Sequence, residues 1–177
     1  MDAMDDPNSL WVVKGAHGSH CAQGMPVLNG QTVRTKRVAC IIYARAYRRI
    51  PYIHECIQVR LQHVKTKRNL HTHHFDSPLT KQHEVSAYGE DGEGDHLDDW
   101  MVETRGGAEW RRGANVRLKS RGTGSYLHSH AVRFDASNCG GNCPIMGQQE
   151  ITGYHAADDE NNWWASAEGV YFPVTQQ

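Results

Sequence analysis

The sequence lacks the features that mark several common protein classes. No apolar run reaches the roughly 18 residues of a membrane-spanning helix, so no membrane span is predicted. A net charge of -1 over 177 residues excludes the strong basic field typical of nucleic-acid binding. The opening residues, MDAMDDPNSLW, are acidic and have no apolar centre, so no signal peptide is predicted. Neither a Ser-His-Asp order nor a phosphate loop nor a metalloprotease motif occurs, so we predict no enzyme activity and no cofactor.

What the chain contains instead is typical of a β-rich domain. Glycine occurs 17 times, and the apolar runs are short. This combination favours many turns and short strands over a bundle of helices. A chain of 177 residues is also long enough to bury a core as one domain. We therefore predict a single all-β domain over residues 1–177.

A series of motifs occurs twice in the same order. VRLQHVKTKRNLHTHH begins at Val59, and VRLKSRGTGSYLHSHA begins at Val116; the separation of these two valines is called the repeat offset below. HEVSAYGED then aligns with QEITGYHAA, and DDWMVET aligns with NNWWASAEG, which matches Trp100 to Trp163. DDPNSLWVVKG, near the start of the chain, repeats the last motif and places Trp11 in the same series. About four short strands per repeat predict a threefold β-trefoil whose first repeat is incomplete.

These motifs resemble the MIR domain family, and most closely its stromal cell-derived factor 2-like members. The longest match is NLHTHHFDSPLTKQHEVSAYGEDGEGDHLDDW, while GQQEITGY and WWASAEGVYFP match the end of plant-type members. The resemblance implies a β-trefoil built from MIR repeats. It divides the chain into the tail of repeat 1 at 5–31, repeat 2 at 59–110 and repeat 3 at 116–173.

The resemblance also implies a function. Members of this family are non-catalytic proteins of the endoplasmic reticulum lumen that assist protein folding and quality control. The implied partners are a DnaJ-type co-chaperone, the lumenal Hsp70 and client proteins. The same module occurs in protein O-mannosyltransferases, which implies an alternative function as a glycan-binding or mannoside-binding trefoil.

Residues 33–58 have no counterpart in the family pattern. Without them, GQT would join VRLQHV directly. The segment begins with valine and ends with glutamine, whose codons can supply the GT and AG ends of an in-frame retained intron. The alternative is a genuine basic insertion that contacts an acidic partner. In either case we expect the segment to project as a poorly packed loop.

The two Leu-His-x-His motifs supply most of the candidate site residues. Residues two apart in a strand share a face, so both histidines of one motif point the same way. The pairs are open to three interpretations: metal ligands, structural residues with one histidine packed inward against the backbone, or a shallow site for hydroxyl groups. A metal site is not predicted, because pseudo-symmetry separates the two pairs. The candidate ligand-binding residues are His71, His73, His128, His130, Arg60 and Arg117.

Tryptophan and cysteine complete the candidates. Trp11, Trp100 and Trp163 recur once per repeat, which predicts packing in the core. Trp110 and Trp164 fall outside this pattern and are candidate platforms for stacking sugars. The spacing of the cysteines at 139 and 143 leaves a local disulfide and two free thiols equally open. The cysteines at 21, 40 and 56 have no pairing that the sequence predicts.

Overall fold

The computed structural model describes residues 10–19, 27–28, 30, 57–106, 109–111 and 113–165. Within these ranges the regular secondary structure is mainly β-strand, which confirms the all-β prediction. The nine strands are β1 (Trp11–Gly15), β2 (Gln58–His63), β3 (Asn69–Asp76), β4 (His83–Tyr88), β5 (Trp100–Thr104), β6 (Asn115–Ser120), β7 (Tyr126–Arg133), β8 (Gln149–Tyr154) and β9 (Trp164–Ala165). The short helices are two 3-10 helices, His96–Asp98 and Glu160–Asn162, and α1, Ala136–Cys139.

Seven antiparallel strands close into a ring. Their order is β2, β3, β4, β8, β7, β6 and β5, and β5 pairs back with β2. Strand β1 adds to the outside of β2, and β9 adds to β6. Among the strands that the structure describes, β1 and β9 are the two that lie outside this ring, and each pairs along one side. Among the described residues, no helix has both the length and the apolar character needed to span a bilayer.

The sheet register corrects one alignment made from the sequence. Val59 lies opposite Trp100, and Val116, its counterpart at the repeat offset, lies opposite Trp164. Trp164 is therefore the counterpart of Trp100, and the prediction that Trp163 holds this position is wrong. The sequence alignment failed because the loops that precede Trp100 and Trp164 differ in length. The DDW and NNW triplets are similar in sequence, but they do not occupy equivalent positions in the structure.

Hydrogen bonds of the two indoles support the corrected alignment. The indole N–H of Trp100 donates to Leu70 O at 3.0 Å, and the indole N–H of Trp164 donates to Leu127 O at 3.1 Å. Leu70 and Leu127 are again separated by the repeat offset. A buried indole N–H needs an acceptor, so each tryptophan is held by the strand that bears the Leu-His-x-His motif.

The burial of the tryptophans also corrects the prediction that Trp11 and Trp163 pack in the core. Trp100 is fully buried, as predicted, but Trp11 is 38% exposed and Trp163 only half-buried. Trp110 and Trp164, the candidate platforms for stacking sugars, both pack against the core cluster. That cluster consists of Val59, Trp100, Val102, Val116, Leu118 and Leu127.

Strand β2 departs from simple alternation. The sequence predicts Val59, Leu61 and His63 on the buried face, but Leu61 is half-buried while Gln62 is 5% exposed. Gln62 is buried because its Nε2 donates to Lys67 O at 2.8 Å in the following turn. Strand β2 also starts at Gln58, so the predicted 33–58 boundary includes the first strand residue.

Several sequence predictions fall partly or wholly outside the described residues. These are the packing of 33–56, the cysteines at 21, 40 and 56, and most of the 5–31 tail. The pair Cys139 and Cys143 is described and forms a disulfide with an S–S distance of 2.09 Å. This disulfide lies in the connection between β7 and β8, where it links the last residue of α1 to Cys143.

Candidate functional site

The first histidine of each Leu-His-x-His motif is buried and holds a loop. His71 and His128 are 4% and 3% exposed. Their Nδ1 atoms lie 2.7 Å from Asp98 Oδ1 and 2.9 Å from Asn162 Oδ1. Both oxygens only accept hydrogen bonds, so Nδ1 carries the proton in each ring. The inward packing agrees with the structural interpretation, but the partner is a side chain on a 3-10 helix rather than the backbone.

The second histidine of each motif lies at a bulge. The strand register shifts between Thr72 and Asp76, and again at the equivalent place in β7. There Nδ1 of His73 and of His130 accepts the backbone N–H two residues further along, at 3.2 and 3.3 Å. The proton of each ring is therefore on Nε2, which faces a glutamate at 3.4 and 3.3 Å.

Glu150, which faces His130, anchors a loop from the other half of the sheet. Its carboxylate accepts the N–H of Leu79 at 2.7 Å, the N–H of Thr80 at 3.1 Å and the hydroxyl of Thr80 at 2.7 Å. Burial acts to raise the pKa of Glu150, but these hydrogen bonds outweigh it and lower the pKa overall. The matching residue beside His73 is Glu84, whose side chain is 39% exposed.

Arg60 joins three parts of the backbone. Its Nε donates to Gly15 O at 3.0 Å, and one terminal nitrogen donates to Gly92 O at 3.2 Å. The same nitrogen lies 3.0 Å from His17 Nε2, and His17 Nδ1 lies 3.0 Å from Asp99 Oδ1. The guanidinium thus fastens β1 and the glycine-rich loop to β2.

Arg117 occupies the matching position in β6. It forms an ion pair with buried Glu103, and it donates to Ala157 O at 2.5 Å. Its guanidinium also lies 4.7 Å from the ring centre of Tyr126 and 4.9 Å from that of Trp163. Trp163 is therefore a cation–π partner at the surface, where each such contact is worth about 0.5–1 kcal/mol.

One group meets a simple geometric test for a metal site. Ligand atoms of His71, Asp95 and Asp98 lie within 4.8 Å of one another. The shortest of these contacts, His71 to Asp98, has a structural counterpart in the pair His128 and Asn162, where no carboxylate is present. We therefore assign the His71–Asp98 contact to the attachment of the 3-10 helix.

The four histidines among the six predicted site residues form two separate pairs. The ring centres of the histidines are 5.5 Å apart in the first motif and 5.6 Å apart in the second. Within the ranges that the structure describes, no ring contact or hydrogen bond joins one pair to the other. Each group holds its own loop, so the ligand-binding role of these residues stays a prediction.

Sequence reasoning missed a third histidine group on the seam between β4 and β8. His83 contacts His74 and His155 edge to face, with ring centres 5.1 and 4.7 Å apart. Burial lowers the pKa of His83, and the charges of His155 and His74 lower it further. No motif signals this group, because its members come from three different strands or loops.

The chain was compared with known proteins. The profile of the MIR domain matches residues 1–164. A stromal cell-derived factor 2-like protein of Dictyostelium discoideum is 40% identical over 169 residues, covering 95% of this chain and 64% of the relative. Stromal cell-derived factor 2-like protein 1 of Homo sapiens is 38% identical over 171 residues, covering 97% of this chain and 62% of the relative. The chain thus spans less than two thirds of the length of these two relatives.

Solved structures give the same relationship. The crystal structure of the SDF2-like protein from Arabidopsis thaliana superposes with a TM-score of 0.72 at 32% identity, covering 97% of this chain and 76% of that one. A chain of the S. cerevisiae protein O-mannosyltransferase Pmt1-Pmt2 complex bound to the sugar donor superposes with a TM-score of 0.62 at 25% identity, covering 91% of this chain and 19% of that one. This chain therefore belongs to the MIR domain family, among the stromal cell-derived factor 2-like proteins.

Proposed function

We propose that the strands form a β-trefoil of MIR repeats, in which β1 belongs to the first repeat. Strands β2–β5 form the second repeat, and β6–β9 form the third. The support is the shared register, in which Val59 faces Trp100 as Val116 faces Trp164. The buried histidines provide independent support, because His71 and His128, separated by the repeat offset, bond to equivalent 3-10 helices.

This β-trefoil serves as a non-catalytic binding module in the endoplasmic reticulum lumen. It assists protein folding and quality control together with a DnaJ-type co-chaperone, the lumenal Hsp70 and client proteins. The observation that carries this proposal is 40% identity to a stromal cell-derived factor 2-like protein over 95% of the chain. The contacts of the site residues also support a non-catalytic role. His71, His128, Arg60 and Arg117 are the side chains that could act in catalysis, and each is hydrogen-bonded or ion-paired to another part of the chain.

A second candidate is glycan or mannoside binding connected to protein O-mannosylation. It is favoured by the TM-score of 0.62 to a chain of the mannosyltransferase complex bound to its sugar donor. On this candidate, the half-buried His73 and the guanidinium of Arg60 supply hydrogen bonds to sugar hydroxyls, whereas the Nε2 of His130 is buried against Glu150. His71 and His128 would act through position alone, because both are buried.

Two binding experiments on the purified chain separate the candidates. In the first, the chain is immobilised and offered a purified DnaJ-type co-chaperone, with and without lumenal Hsp70 and a thermally unfolding client. We expect retention of the co-chaperone and reduced light scattering from the client. No retention and no change in client aggregation would refute the chaperone role.

The second experiment presents the chain to a mannoside and glycan array. Selective binding would favour the second candidate, provided that His73→Ala abolishes it and His74→Ala does not. His74 is the matched control because it neighbours His73 but is exposed and lies outside the Leu-His-x-His pair. An empty array combined with co-chaperone retention supports the first candidate.

A further inference from the structure

Three histidines lie together at the seam where the β3–β4 hairpin meets the β7–β8 hairpin. His83 begins β4 and lies opposite Gly153 of β8. His74 belongs to β3, and His155 directly follows β8. These three residues are called the histidine triplet below. Its members come from three segments of the chain that strand pairing already holds side by side.

The spacing of the histidine triplet suits imidazoles that share one metal ion. The ring centre of His83 lies 5.1 Å from that of His74 and 4.7 Å from that of His155. In a tetrahedral zinc site the metal–nitrogen distance is about 2.0–2.1 Å, and a ring centre lies about 1.1 Å beyond its nitrogen, so two bound rings have centres about 5 Å apart. The rings therefore have this spacing without any movement of the backbone.

One ring nitrogen of the histidine triplet lacks a partner. Nδ1 of His83 is buried and has no hydrogen-bond partner among the described residues. Leaving a buried polar atom unpaired is unfavourable, so a ligand that engages the ring of His83 gains free energy. A neutral imidazole nitrogen is a good ligand for zinc and copper ions. A bound metal ion is thus one way in which the ring of His83 obtains a partner.

The flanking rings are able to turn toward His83. In the orientation described, the ligand atoms of the histidine triplet do not all lie within the 4.8 Å that the group containing Asp95 satisfies. His74 and His155 are exposed, and the Cβ–Cγ torsion of histidine is broad. Rotation about this bond redirects the two nitrogens of a ring while the ring centre stays almost in place. The nitrogens can therefore converge while the spacing of the ring centres is kept.

The fold does not require histidine at these three places. The counterparts of the histidine triplet in the other repeat, given by the repeat offset and the strand register, are Ala131, Gln149 and Gly89. Asp76, for example, lies opposite His83. Arg133, which follows Asp76 by the repeat offset, lies opposite Gln149. The histidines of the Leu-His-x-His motifs, by contrast, occur in both repeats. The repeated framework therefore does not account for the histidine triplet.

We propose that the histidine triplet is a binding site for a divalent transition-metal ion, with His83 as the central ligand and His74 and His155 as the flanking ligands. Imidazole nitrogen suits Zn²⁺, Cu²⁺ and Ni²⁺, and a water molecule completes the coordination in a site with three protein ligands. Asp76, opposite His83, places a carboxylate beside the site that complements the charge of the ion.

An ion at this site joins three segments of the sheet. It connects β3, β4 and the end of β8, and it reinforces a seam in which two residue pairs, at His83 and Glu84, link β4 to β8. The backbone amides of these pairs should therefore exchange hydrogen more slowly when the ion is bound. The site stands apart from the proposed chaperone and glycan roles and does not depend on either.

Titration calorimetry with Zn²⁺ tests the site on the purified 177-residue protein. The protein is first treated with a chelator, and its free thiols are alkylated so that cysteine sulfur does not compete for the ion. We expect saturable binding of Zn²⁺ and no saturable binding of Mg²⁺, which prefers oxygen ligands. In NMR spectra the ring signals of the histidine triplet should shift with Zn²⁺, whereas that of His96, an exposed histidine outside the triplet, should not.

Two variants remove a ligand and insert the residue that the other repeat carries. His74→Ala and His83→Gln introduce the side chains found at 131 and 149, so the fold should be retained, and circular dichroism checks this. Each variant should weaken Zn²⁺ binding by at least about tenfold, because even the loss of a residue that only supports a metal ligand costs about 10–100-fold in affinity. The matched control, His96→Ala, should leave the affinity unchanged.

Three results would overturn the inference. The first is no saturable binding of Zn²⁺ to the alkylated protein. The second is binding that His74→Ala and His83→Gln leave unchanged, which would place the ion elsewhere. The third is equal weakening by His96→Ala, which would mean diffuse binding by surface histidines. If a variant does not fold, the NMR signals of the unmodified protein decide, and an unshifted ring signal of His83 would refute the site.

Discussion

Replacing Glu150 with glutamine tests the strongest side-chain link between the two halves of the sheet. Glu150 begins the buried part of β8, and its carboxylate accepts three hydrogen bonds from Leu79 and Thr80 in the loop between β3 and β4. Glutamine has nearly the same shape but only one accepting oxygen, so its amide nitrogen must face a donor. The substitution therefore removes charge and hydrogen bonds without opening a cavity.

The expected cost follows from these contacts. Hydrogen bonds to a charged group contribute about 1.5–3 kcal/mol each, so the loss of one to two of them predicts a cost of about 1.5–6 kcal/mol. For a domain of this size, such a change corresponds to a fall in Tm of about 3–24 °C. The matched control is Glu84→Gln, because Glu84 occupies the equivalent position but its side chain is 39% exposed. This substitution should change the free energy of unfolding by less than about 0.5 kcal/mol.

The pH dependence sharpens this prediction. Hydrogen bonding lowers the pKa of Glu150 in the folded chain below its ordinary value of 4.5. The stabilisation is therefore complete above that ordinary value and is lost as the pH falls through the lowered folded value. Urea unfolding from neutral to acidic pH should show the difference between Glu150→Gln and the unmodified chain shrinking at the acid end.

The reasoning would be refuted by either of two results. If Glu150→Gln and Glu84→Gln change the free energy of unfolding equally, the loop contacts of Glu150 do not stabilise the fold. If the cost of Glu150→Gln is the same at neutral pH and well below the ordinary pKa of glutamate, the ionised carboxylate is not the acceptor that matters.

Three further predictions concern other parts of the sheet. Trp164→Ala should cost about 3 kcal/mol because it removes a core contact, whereas Trp163→Ala should cost about 1–2 kcal/mol because it removes surface cation–π contacts; chemical denaturation measures both. His83→Gln should raise Tm near pH 5.5 and leave it unchanged near pH 8. Because the pKa of His83 is lower in the folded chain than in the unfolded chain, the unfolded chain binds the proton more readily, and stability is lost as the pH falls below about 6.5. Lys67→Gly should raise the free energy of unfolding by about 0.5–1 kcal/mol, because Lys67 has a φ of 59° where its counterpart is Gly124 with 73°.

Each of these predictions has a contradicting result. A larger cost for Trp163→Ala than for Trp164→Ala would restore the alignment made from the sequence. A His83→Gln effect that is equal at both pH values would point to packing rather than charge. A destabilising Lys67→Gly would mean that chain entropy outweighs the strain of the left-handed turn.

Local patterns in the sequence predicted the strands well. The alternation of apolar residues in VRLQHV, EVSAY and EITGY predicts strands, and the structure has β2, β4 and β8 at these segments. The Leu-His-x-His motifs, treated as strands in the sequence, lie in β3 and β7. These elements are predictable because a strand with one buried face imposes a period of two on its own residues. Gln62 broke the period because its partner is a turn carbonyl, which no local pattern records.

The contacts that hold the histidines were not predictable in the same way. Asp98 and Asn162 differ in chemistry, and the loops that precede them differ in length, so simple alignment paired the wrong residues. Glu150 and Leu79 are 71 residues apart, and their contact depends on how two hairpins meet. Side-chain partners across such separations are set by the tertiary fold and have no sequence spacing of their own.

The position of β5 has a consequence for dividing this chain into independent pieces. Along its whole length, from Trp100 to Thr104, it pairs with β6, but only Trp100 and Met101 reach back to β2. A cut between residues 110 and 116, at the border of the sequence repeats, would separate β5 from its more extensive partner. A fragment that starts just before Trp100 would keep β5 and β6 together. The fragment best suited to autonomous folding, circular permutation or transplantation therefore begins just before β5. Its boundaries differ from those of the repeat in the sequence.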